Sequence, residues 1–124
     1  MRELKIPATI NTPSADFDAQ TQTLTIAGRC IPENPAVFFD GLNLWVEEVF
    51  PGLSGKILLD FRFEYINSGS SKQVLSLLRF IEPLHDHSRQ IKLDWYHEED
   101  DEAIQELGED LKGSLTFEVE LHSV

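Results

Sequence analysis

Apolar positions recur along this chain with two periods, and the switches between them mark its elements. Ile57, Leu59, Phe61, Phe63 and Tyr65 alternate with Leu58, Asp60, Arg62 and Glu64, the period-2 pattern of a strand with one buried face. Val74, Leu77, Leu78 and Ile81 then fall at helical spacing and give one apolar stripe. Upstream, Leu4, Ile6 and Ile10 around Pro7 predict an opening edge strand. Leu24, Ile26 and Cys30 predict a further strand, so the first thirty residues read as a meander of two or three short strands. Asn34 as N-cap and Pro35 at the first helical position open a helix. Phe38, Leu42, Trp45, Val46 and Val49 lie on one face of it, and Pro51 stops it. Pro83 predicts a kink or an early end to the second helix. Ile91, Leu93 and Trp95 alternate as another strand. The run from His97 to Glu102 is expected to open a third helix with the stripe Ile104, Leu107 and Leu111. Gly113-Ser114 breaks that helix, and Leu115, Phe117, Val119 and Leu121 close the chain as a strand.

The order is thus β-β-α-β-α-β-α-β, with a further N-terminal strand allowed. Strand-helix-strand units imply right-handed crossovers and locally parallel pairing. The strands alternate, however, where strands covered on both faces would be apolar throughout. The expected fold class is therefore α/β: a mixed β-sheet with about three helices mainly on one face. A chain of 124 residues is expected to form a single domain, 1–124, with one core.

Charge narrows the function. Ten basic residues against twenty-two acidic ones leave −12, which repels phosphate backbones, so no nucleic-acid partner is expected. No apolar run approaches a membrane span and no signal-peptide core follows Met1, so no membrane partner and a cytoplasmic location are expected. Cys30 is the only cysteine and reads as a small buried residue.

The chemistry-bearing stretch is Tyr65-Ile66-Asn67-Ser68-Gly69-Ser70-Ser71, a strand-to-helix junction of small polar residues. Ser70 with Gln73 three residues on reads as a capping box. That reading leaves Ser68 outside the helix, beside Gly69 and just upstream of a positive helix end. A kinase can reach a hydroxyl there, and a phosphate changes local electrostatics most there. Serine-rich junctions are also common simply because Ser caps helices and tolerates turns. Two other constellations compete. His85, His87 and His97 with the acidic run suggest a small metal-dependent enzyme, but no motif fixes their geometry, and a solvated acidic face is the plainer reading. No Gly-rich phosphate loop, cofactor motif or oriented nucleophile is present, so the chain reads as a non-enzyme that needs neither metal nor cofactor. Phe39 and Phe80 fall off the clean apolar stripes and are the candidates for a partner-facing patch.

Three segments together resemble a known family. Gly28-Arg29-Cys30-Ile31-Pro32-Glu33-Asn34-Pro35, the loop Phe63 to Lys72, and Trp95 to Glu102 followed by Glu106-Leu107-Gly108-Glu109-Asp110 are similar, in order, to motifs of the SiaC-like regulatory phosphoproteins. The resemblance implies a STAS-like domain that works by partner switching. A protein kinase phosphorylates one hydroxyl, a PPM-type phosphatase removes the phosphate, and only the unmodified form binds its target. In the best-known system that target is a diguanylate cyclase, activated to make cyclic di-GMP. An anti-sigma-factor antagonist is the neighbouring possibility. The family's acceptor falls on the residue after the loop Asn, which is Ser68. Gly69 stands where the family usually has Ser, making Ser70 the rival acceptor. Asn67, Ser68, Gly69, Ser70 and Ser71, with Phe39 and Phe80, are the expected partner-binding residues.

Overall fold

The computed structural model describes residues 3–124. The elements run β1 (Glu3–Ile6), β2 (Ser14–Asp18), β3 (Thr23–Cys30), α1 (Pro35–Val49), β4 (Gly55–Ile66), α2 (Ser68–Ile81), β5 (Arg89–His97), α3 (Glu102–Ser114) and β6 (Glu118–Ser123). The six strands lie in one mixed sheet in sequence order. β1, β2 and β3 pair antiparallel as a meander, while β3 to β6 pair parallel, each reached through a helix. Right-handed crossovers that always step the same way across a sheet deliver every helix to one face. The burial pattern agrees. Ile57, Leu59, Phe61 and Phe63 of β4 and Ile91, Leu93 and Trp95 of β5 are buried beneath the helices, whereas Asp60, Arg62, Lys92 and Asp94 point the other way.

That second face carries a polar row matched strand to strand: Asp16, Thr25, Asp60, Asp94 and Glu120 are register partners in turn. Lys92 Nζ sits 3.3 Å from Asp94 and 2.7 Å from Glu120, and Arg62 stacks 3.8 Å over the Tyr96 ring. Glu120 is held below the ordinary carboxylate range chiefly by Lys92. Arg62 and Lys92 thus pair with Asp60, Asp94 and Glu120 on the open face.

Local chemistry sets the element ends. Asn34 Oδ1 accepts from Val37 N at 3.3 Å with Pro35 first in α1, as the sequence predicts. α2 ends at Ile81 and passes into one turn of 3-10 helix around Pro83. Three expectations are corrected. The acidic run does not open α3: residues 98–100 form the turn after β5, Asp101 is the N-cap, and its carboxylate accepts from Ile104 N at 3.1 Å. α3 also continues through Gly113 to Ser114. In α1, Phe39 rather than Phe38 is fully buried. Positions 39, 42, 46 and 49 make the continuous i, i+3, i+7, i+10 stripe, and Phe38 sits half-buried at its flank, edge-on to Phe39 at 5.3 Å. Among the described residues, no helix is long and apolar enough to cross a membrane.

Candidate functional site

Parallel strands β3, β4 and β5 all point their C-terminal ends the same way, and sites of open α/β sheets lie outside that edge. The three motifs of the sequence meet there. β4 ends at Ile66, and the next peptide is pinned to the neighbouring strand by Asn67 N donating to Cys30 O at 3.1 Å. Asn67 then organises the first turn of α2 by itself. Its Oδ1 accepts from Ser70 N at 2.9 Å, and its carbonyl accepts from Ser71 N at 2.9 Å and from Ser71 Oγ at 3.2 Å.

Asn67, not Ser70, is therefore the N-cap. Both residue types cap well, and the long-range bond to Cys30 decides which one stands at the boundary. Ser68 consequently becomes the first residue of α2 instead of lying outside it, and it remains exposed. Ser70 points inward and is fully buried. Its hydroxyl lies beside the Cys30 thiol but makes no hydrogen bond of good geometry. Burial pushes that thiol up in pKa, with the hydroxyl partly opposing, so Cys30 is an inert buried thiol. Ser70 is thus sealed inside the folded chain, whereas Ser68 is exposed.

Gly69 is exposed and packs against the start of α1, where a Cβ would come 3.2 Å from Pro35 Cγ. The Pro-Glu-Asn-Pro turn and the Asn-Ser-Gly-Ser-Ser turn are thus neighbours. The third motif arrives through Asp101, which lines the same hollow as Tyr65, Ile66 and Ser71. Replacing Asn67 by Ala removes the acceptor of the Ser70 amide, so a loss of ~1 kcal/mol is expected. Urea unfolding checks it, and an unchanged midpoint would contradict the capping role.

The expected partner-facing residues separate. Phe80 is 43% exposed at the far end of α2. Phe39 is not available, because it is sealed in the core. Tyr65 and Leu75, 54% and 36% exposed, flank the Ser68 turn, and Val37 and Leu44 are exposed on α1. The helical stripe carries a signal for Val37 and Leu44, which fall opposite the buried face of α1, while Leu75 lies at the flank of the α2 stripe.

The histidine constellation is not brought together. His85 Nδ1 accepts from Ile91 N at 3.0 Å at the start of β5, whereas His97 ends that strand, with Nδ1 2.9 Å from Glu98 O. Asp94, Glu120 and His122 do cluster, but the Lys92 ammonium already supplies the counter-charge between the two carboxylates.

The chain as a whole is similar to known proteins. The family model of SiaC family regulatory phosphoproteins matches residues 6–124. An uncharacterised Pseudomonas aeruginosa protein, PA14_02130, is 31% identical over 117 residues, 94% of this chain and 93% of that protein. SiaC of Pseudomonas aeruginosa superposes with a TM-score of 0.90 at 28% identity, covering all of both chains. A chain in the crystal structure of the diguanylate cyclase SiaD in complex with its activator SiaC, from the same organism, superposes at 0.89 with 29% identity, over 98% of this chain and 99% of that one. Alternating strands on a one-sided sheet, an Asn-capped turn presenting Ser68 and a family match along nearly the whole length lead to one assignment: this chain belongs to the SiaC family of regulatory phosphoproteins.

Proposed function

We propose that this protein is a non-catalytic partner-switching regulator. In its unmodified form it binds and activates a diguanylate cyclase, and phosphorylation of Ser68 releases that target. A protein kinase adds the phosphate, and a PPM-type phosphatase removes it. The observation that carries this reading is the placement of Ser68: an exposed hydroxyl on the first residue of α2, at the point where all three motifs converge. The similarity to SiaC, which activates the cyclase SiaD, supplies the class of target.

The geometry supports the following roles. Ser68 accepts the phosphate. Asn67 fixes the turn, and Gly69 and Ser71 complete its surface. Tyr65, just before that turn, and Phe80, at the far end of α2, are apolar groups left exposed, as contact residues usually are. Ser70 supports the turn from inside. A phosphate on Ser68 adds close to two negative charges, so a docked carboxylate or apolar surface pays both repulsion and desolvation.

Phosphopeptide mass spectrometry of protein isolated from its native host tests the assignment. The phosphate is expected on Ser68. Modification confined to another residue would overturn it.

A further inference from the structure

One apolar residue interrupts the polar side of the sheet. The β4 positions facing away from the helices are Lys56, Leu58, Asp60, Arg62 and Glu64, and Leu58 alone among them carries no polar group. It is half-buried, yet it stands outside the core beneath the helices. Around it lies a cavity of about 650 Å³, at the N-terminal ends of β3, β4 and β5. Register explains the lining. Thr23, Leu58, Lys92 and Glu118 are partners in turn across four strands, and Lys56 pairs with Gln90 two residues nearer the strand starts. Register partners share a face, so these six side chains turn together toward the uncovered side of the sheet.

The chemistry of this cavity runs against that of the chain. Two lysines meet one carboxylate, Glu118, in a protein of net charge −12. Lys56 forms no ion pair among the described residues. Lys92 directs two of its three N–H bonds at Asp94 and Glu120 and keeps one. His85 also lines the cavity, and its Nδ1 accepts from Ile91 N at 3.0 Å, so the ring proton sits on Nε2 and that nitrogen is a donor. Gln90 donates its amide N–H to His87 O at 2.8 Å, which leaves its Oε1 as an acceptor.

We propose that this cavity binds a mononucleotide, with the phosphate between Lys56 and Lys92, the flat face of the base on Leu58, and an amino group of the base at Gln90 Oε1. The volume falls in the range that holds a ligand of this size, about 300–1,000 Å³. Separated cationic donors suit a phosphate, whose oxygens accept from several directions. A free anion would leave Leu58 uncovered, and a nucleoside would cover it but give the lysines no partner. Nucleotide binding here is independent of the switch proposed above: β4 runs roughly 30 Å from Lys56 to Ile66 before the Ser68 turn begins.

Isothermal titration of the full chain with AMP, GMP, adenosine, guanosine and inorganic phosphate tests the site. AMP or GMP should bind and raise the thermal midpoint, with the nucleosides and inorganic phosphate each at least about tenfold weaker. Lys56→Glu, at an exposed position, should weaken the nucleotide at least about tenfold, and Leu58→Asn several-fold, with circular dichroism showing both variants folded. Neither heat nor a shifted midpoint with either nucleotide at millimolar concentration would overturn the site. So would Lys56→Glu binding the nucleotide like wild type, or phosphate alone binding as tightly as the nucleotides.

Discussion

Ser68→Asp should bind the target cyclase about a hundredfold more weakly than wild type, and Ser68→Ala should bind it as wild type does and resist release by the kinase. A coupling of ~3 kcal/mol between modification and binding, the upper end of typical values, corresponds to that factor. The alternative explanation for a loss, damage to the fold, is excluded by the position itself. Ser68 is the first residue of α2, where a carboxylate faces the positive end of the helix dipole. Asp there should hold or raise stability by a few tenths of a kcal/mol, so binding and stability are predicted to move in opposite directions. Isothermal titration against the cyclase and thermal unfolding of the same two variants check both halves. A Ser68→Asp protein that binds and activates like wild type would remove Ser68 from the switch.

Trp95→Ala is expected to be the most damaging single core truncation, with a loss of ~3–5 kcal/mol. Trp95 is fully buried on β5, with ring centroids 6.5 Å from Phe61 and 5.6 Å from Phe63, and its indole N–H is the polar tie to α3. Its removal empties the seat on which Gly108 rests, and the loss is a large share of the ~5–15 kcal/mol that such a domain commands. Trp95→Phe separates the contributions, because it keeps most of the apolar contact and drops only the hydrogen bond. Urea unfolding should rank the three proteins wild type, Trp95→Phe, Trp95→Ala. A Trp95→Ala midpoint close to wild type would mean that α3 is held by its ends rather than by this contact.

Much of this architecture is legible in the sequence, and the errors share a cause. The alternation in β4 and β5 shows one buried face, and the strand-helix order fixes the crossovers, so the mixed sheet follows from local pattern and handedness alone. The strand-to-helix junction is legible in the sequence, but the local pattern sets the cap three residues late, at Ser70 instead of Asn67. Ser70 and Asn67 are both good caps, and the choice between them is made by a hydrogen bond to Cys30, thirty-seven positions away in the chain. Phe38 and Phe39 are likewise adjacent aromatics on a helix. Choosing between them requires the phase of the whole stripe against the sheet. The acidic run misled because acids suit both a first turn and the loop before it. The seating of α3 is the least visible feature: it depends on how closely Gly108 meets Trp95, and no periodicity encodes that distance.

The bare side of the sheet has a practical corollary. The Ser68 turn opens α2 in the helical layer, so a probe attached to the uncovered side of the sheet stands clear of it. Since the lone native thiol is shut away and reluctant to ionise, a cysteine introduced at Thr25 offers a single chemical handle. The protein can thus be tethered to a sensor chip with its helical layer and the Ser68 turn facing outward.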